Sequence, residues 1–108
     1  MFLSRIWRSK EVLKREVRRN PYIRGELSLV SVIRSKDPFK AVKASIDELG
    51  GIEKTIEPDY KVLIKPNVGF SDSSANTSPE VVSAVISILK DIGVKDITIA
   101  ESAVRGSN

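Results

Sequence analysis

The stretch Tyr60-Lys61-Val62-Leu63-Ile64-Lys65-Pro66-Asn67 is a short apolar run closed by a lysine, a proline and an asparagine. Three consecutive apolar residues, Val62, Leu63 and Ile64, predict a strand covered on both faces, as in a parallel sheet. Pro66 keeps Lys65 extended and ends the hydrogen-bond ladder. The strand therefore delivers Lys65 and Asn67 to the edge of a sheet. A polar loop rich in Ser, Asn, Asp and Gly then runs to Thr77. It is about twice the usual length of a strand-to-helix link, as functional or mobile loops often are.

Downstream, Ser78-Pro79-Glu80 opens a helix with an N-cap residue, a proline at the first helical position and an acid near the positive end of the dipole. Val81, Val82, Val85, Ile88, Leu89 and Ile92 form its apolar stripe, and Gly93 stops it. Lys95 to Glu101 reads as a strand and Ser102 to Asn108 as a loop. Upstream, Leu27 to Arg34 reads as the first strand. Asp37-Pro38 caps a helix with a stripe of Phe39, Val42, Ile46 and Leu49, closed by Gly50-Gly51. Ile52 to Asp59 is a connector with one helical turn. At residues 2–19, Phe2, Ile6, Leu13 and Val17, widened by Leu3 and Trp7, predict a further helix with a basic outer face, ended by Asn20-Pro21.

The expected fold is α/β. A basic amphipathic helix within residues 1–26 precedes a βαβαβ unit at 27–108, half of a doubly wound parallel sheet. Three parallel strands alone leave bare edges and a thin core. Two remedies are expected: a homo-oligomer, or a missing C-terminal half of a larger domain. The chain's stop after the third strand favours the second, with the 108 residues as a fragment.

With 41% hydrophobic and 30% charged residues, the composition is that of a globular chain. It lacks a run long enough to cross a bilayer, and its first twenty residues are too charged for a signal peptide. A soluble cytoplasmic protein is the default expectation. Without cysteine, the chain offers no disulfide and no thiolate ligands for an iron–sulfur cluster. Without histidine, it lacks the usual zinc ligand and general base. Residues 1–26 carry eight basic side chains against three acidic ones, whereas 27–108 carry ten against eleven, so the net +4 belongs to the N-terminal segment. That segment reads first as a surface helix packing on the body or on a second subunit. A membrane surface and nucleic acid are the lesser readings. The acidic body and the lack of a binding motif weigh against nucleic acid.

Ligands of such sheets bind beyond the carboxyl ends of the strands. Lys65, Asn67, Thr77, Ser78, Glu101 and Ser102 are expected to converge there as a pocket for a small anionic ligand. Lys65 supplies a point charge, Asn67 a donor and an acceptor, and Thr77, Ser78 and the free helix amides a cradle for phosphate or carboxylate. Each has a plainer reading. Lys65 is a solvated strand end, Asn67 holds its own turn, Ser78 is an N-cap that Thr77 supports, and Glu101 pairs with Lys65. Arg105 with Gly106 is a further candidate for closing over an anion. Asp72 is a lone carboxylate in a serine-rich loop, weak grounds for a metal, and none is assigned. GxGxxG, GxxxxGK[ST] and GxSxG are absent. The residues name neither a catalytic group, nor a cofactor, nor a reaction.

The order of these motifs resembles one family. Val62-Leu63-Ile64-Lys65-Pro66-Asn67, then Thr77-Ser78-Pro79-Glu80-Val81-Val82 with Ala84-Val85-Ile86, then Gly93-Val94-Lys95-Asp96-Ile97-Thr98-Ile99-Ala100-Glu101-Ser102 resemble the opening of the domain-of-unknown-function 362 family, over roughly residues 27–108. The resemblance implies an α/β domain with no settled activity, with Lys65, Asn67, Thr77, Glu101 and Ser102 on its most recognisable positions. Many relatives carry cysteine-rich iron–sulfur modules further along, a property that does not transfer to a cysteine-free chain. Two functions follow as expectations. One is an incomplete α/β domain that binds a small anion at its strand ends. The other is an assembly module whose basic helix docks on a protein, an anionic membrane or nucleic acid.

Overall fold

The computed structural model describes residues 19–69 and 71–102. The expected N-terminal helix lies outside these residues except for its last position, Arg19, which is irregular. The Arg105-Gly106 tail also lies outside them. The described residues are of mixed helix and strand. In chain order the elements are β1 (Ile23–Arg24), β2 (Leu27–Ser28), α1 (Pro38–Glu48), β3 (Lys61–Ile64), α2 (Pro79–Asp91) and β4 (Asp96–Ile99).

The helix signals act as expected. Asp37 takes extended backbone angles and its Oδ1 accepts from the Lys40 amide at 3.1 Å, which caps α1 ahead of Pro38. At the other end the Gly50 and Gly51 amides return to the carbonyls of Asp47 and Ile46. Both glycines have positive φ, +96° and +89°, where a side chain would be strained. A 3₁₀ turn at Ile52–Lys54 leads on towards β3.

β3 and β4 pair in parallel, with Val62 opposite Ile97 and Ile64 opposite Ile99, and α2 makes the crossover between them. The Ala100 amide adds one more bond, to the Ile64 carbonyl at 3.0 Å. Helices α1 and α2 pack on each other. The buried apolar side chains among the described residues are Ala84, Ile88, Leu89 and Val94. They sit on α2 and in the turn after it, so the crossover helix is the centre of the core.

Two expectations are corrected. The three-stranded βαβαβ sheet is not formed: among the described residues the parallel sheet has two strands. Of the expected first strand, only Leu27–Ser28 is paired, and it pairs antiparallel with Ile23–Arg24. Gly25, with φ +61°, opens the two-residue loop of that hairpin, and the rest of the expected strand runs on without a ladder partner among the described residues. Secondly, the strand Val62-Leu63-Ile64 is covered on one face. Val62 and Ile64 are half-buried, whereas Leu63 is 64% exposed. The apolar run is read correctly as a strand, but no layer among the described residues covers the Leu63 side.

Candidate functional site

The carboxyl ends of β3 and β4 bring Lys65 and Glu101 together. Lys65 Nζ lies 2.8 Å from Glu101 Oε2, so the plain reading of Glu101 as its ion-pair partner holds. The two ends of the pair differ in environment: the Glu101 side chain is 11% exposed and that of Lys65 69%. Ser102 braces the acid from the next position, its amide donating to Oε1 at 3.0 Å and its hydroxyl to the same oxygen at 3.4 Å. Lys65, followed by these serine donors, holds the Glu101 carboxyl below its usual pKa, against a smaller opposing effect of desolvation.

Asn67 and Thr77 close the polar loop at its base. The Asn67 amide donates to Thr77 Oγ1 at 2.9 Å, and the Thr77 amide returns to the Asn67 carbonyl at 2.6 Å. Asn67 Nδ2 donates to the Ala75 carbonyl at 2.9 Å. The asparagine thus fastens a turn eight residues away rather than one beside it. Inside the loop, Asp72 Oδ1 accepts from the Ser74 hydroxyl and amide at 2.8 and 2.9 Å, bonds that also lower its pKa. Asp72 is a turn residue here. No group of three or more potential acidic, histidine or cysteine ligands for a metal occurs among the described residues.

Ser78 occupies the N-cap position of α2, but its hydroxyl donates to the Glu80 carboxylate instead of accepting from an amide. This contact, helped by the Glu80 amide, holds the Glu80 carboxyl below its usual pKa. Of the first-turn positions, Pro79 has no amide proton, and Val81 and Val82 donate to the Ser78 carbonyl at 3.1 and 3.2 Å. The helix start therefore carries an anion of its own.

The six predicted residues fall into three local groups: Lys65, Glu101 and Ser102; Asn67 and Thr77; and Ser78 with Glu80. A depression of about 610 Å³ touches the second and third groups, lined by Val68, Gly69, Ser74, Asn76, Thr77 and Ser78. Lys65 does not line it. Another, of about 530 Å³, opens between the N-termini of α1 and α2 and is lined by Asp37 and Glu80 with no cation. Sequence reasoning overlooked Glu80 as the side chain that engages Ser78. The signal was present in the spacing, since an acid two residues after a helix-capping serine can reach its hydroxyl. No helix among the described residues is long and apolar enough to cross a membrane.

Residues 62–108 match the family described as Domain of unknown function (DUF362), the family that this strand, loop and helix resemble. The match opens at Val62, inside β3, and residues 27–61 lie outside it. No curated protein and no solved structure matches the chain.

Proposed function

We propose that the strand ends of this domain-of-unknown-function 362 segment are a binding edge for a small anionic ligand, with Lys65 as the group that meets it. One observation carries the reading. Glu101 is nearly buried and fixes Lys65 at 2.8 Å, while Lys65 itself stays 69% exposed. The ammonium is ion-paired with the Glu101 carboxylate on one side and open to solvent on the rest, which leaves donors for an incoming oxyanion. Ser102 keeps Glu101 in place, and Asn67 with Thr77 sets the path of the loop beside it. Ser78 takes part only when a ligand displaces the Glu80 carboxylate, which exchanges one anion for another at the helix start. The finer topology belongs to the same proposal: the bare Leu63 face is where a further layer of a doubly wound sheet would sit.

The test is titration of the 108-residue chain with inorganic phosphate, pyrophosphate and small dicarboxylates, followed by amide chemical shifts. Binding of one of these that weakens at least tenfold in Lys65→Ala, and less in Ser78→Ala, is expected. Equal affinity of Lys65→Ala and the parent for every anion would overturn the assignment.

The second reading, a docking segment, is favoured by the charge distribution alone, the +5 carried by residues 1–26. Deleting those residues with anion binding intact and partner capture lost would support it.

A further inference from the structure

Opposite charges are concentrated in two stretches of this chain. Residues 1–18, which lie outside the described residues, carry six basic side chains against two acidic ones, so +4. Residues 47–59 carry five acidic side chains against one lysine, so −4. The acidic stretch ends α1 and forms the connector towards β3. Asp47 and Glu48 close α1, whose last turn holds no basic residue, and Asp91 closes α2. Three carboxylates thus stand at the negative ends of two helix dipoles, where a cation is stabilised by both.

The same place is apolar beneath. A depression of about 150 Å³ opens between the last turns of α1 and α2 and the 3₁₀ turn, lined by Ile46, Ile52, Ile88 and Ile92. Asp47, Glu53 and Asp91 also line it, and all three are exposed. The lysine among its lining residues, Lys43, is paired with Asp47 at 3.0 Å. At about 150 Å³ the depression suits an apolar side chain and falls short of the roughly 300–1,000 Å³ of a small-molecule pocket.

We infer that residues 1–18 dock on this surface of their own chain, with their apolar stripe, Trp7 included, on the isoleucines and their basic face on the carboxylates. The segment joins the described residues beside the depression. Tyr22 Oη lies 3.5 Å from Thr55 Oγ1, and the Thr55 amide donates to the Ile52 carbonyl at 3.1 Å. The 18 residues ahead of Arg19 span about 27 Å even as a helix, against about 16 Å for the whole of α1, so the depression is within their reach. A basic segment held on its own carboxylates is withheld from an external polyanion, which has to displace it. None of these residues belongs to the strand-end site, so the inference does not rest on the anion reading.

Trp7 is the single tryptophan of the chain and reports on the segment directly. The test is Trp7 emission and acrylamide quenching in the 108-residue chain, with circular dichroism to verify folding and light scattering for the mass. The parent is expected at 11.9 kDa, with Trp7 shielded from acrylamide relative to the same chain in urea. Glu53→Lys with Asp91→Lys should red-shift the emission and abolish the shielding. Both positions are exposed, so folding should survive. Glu26→Lys with Asp96→Lys makes the same charge change at exposed positions outside the depression and should leave Trp7 as in the parent. A parent whose Trp7 is quenched as freely as in urea would overturn the docking. So would shielding that survives the first pair of substitutions, or that is lost equally with the second. Shielding at twice the mass would also overturn it, because the segment would then sit on a second copy.

Discussion

Substituting Thr77 by Val tests whether Asn67 belongs to the loop or to a ligand. Valine keeps the branched shape and removes only the oxygen that accepts from the Asn67 amide at 2.9 Å. A net protein hydrogen bond contributes about 0.5–1.5 kcal/mol, and this amide can turn to water because Asn67 is exposed, which places the cost at about 0.5–1 kcal/mol. Asn67→Ala removes a different bond, Nδ2 to the Ala75 carbonyl at 2.9 Å, at a similar cost. Since 1 kcal/mol shifts the melting temperature of a domain of this size by about 4–8 °C, each variant should melt a few degrees lower. The two changes loosen the same ring of bonds. Their double variant should therefore lose less than the sum, with a coupling of about 0.5 kcal/mol or more. Urea denaturation supplies the free energies, and exchange of the Asn67 amide should quicken in Thr77→Val. Wild-type midpoints in both single variants, with unchanged exchange, would refute the clamp and return Asn67 to the list of free ligand groups.

Leu89 is 1% exposed in a core of few side chains, so Leu89→Ala should cost about 2–5 kcal/mol by urea denaturation, whereas Leu63→Ala, at 64% exposure, should cost under about 0.5 kcal/mol. Equal losses would mean that the Leu63 face is covered. The Lys65–Glu101 pair predicts an acid limb. Its depressed Glu101 pKa contributes stability that is present above the unfolded carboxyl's value and is lost as pH falls through the folded one. The stability difference between the parent and Glu101→Gln should therefore shrink as pH is lowered from 6 towards 3 (values on the order of ordinary carboxyl pKa values). A difference that stays constant across that range would refute the assignment.

Local chemistry was legible in the sequence and partnership was not. Asp37-Pro38, Gly50-Gly51, Pro79 and Gly93 each act within one helical turn, and each marks a real boundary. The β3–β4 pair was legible because a helix between two apolar runs forces a parallel crossover. The glycine-first pair Gly25-Glu26 suits a two-residue hairpin loop, a signal that reading Leu27 to Arg34 as one strand left out, and the hairpin takes Leu27–Ser28. Whether Leu63 is covered depends on groups distant in the chain, which the triplet Val-Leu-Ile does not encode. At the site, the Lys65–Glu101 pair was anticipated from two strand ends. The choice of the Ser78 hydroxyl between an amide and Glu80 is decided by rotamers, which spacing allows but does not select.

The clamp also has a mechanical meaning. Asn67 and Thr77 are bonded to each other directly, so the exit of β3 and the entry of α2 are set by that bond pair and not by the residues threaded between them. The interior of the loop is a tethered ring hung from a fixed clasp. Changes of length or composition inside it are absorbed by the ring, and closing a somewhat longer one adds only a few tenths of a kcal/mol, on the order of (3/2)RT ln n. Among the described residues, the loop ahead of Ala75, whose carbonyl Asn67 also holds, is thus a stretch where sequence can drift, or a reporter be inserted, without moving the strand or the helix on either side.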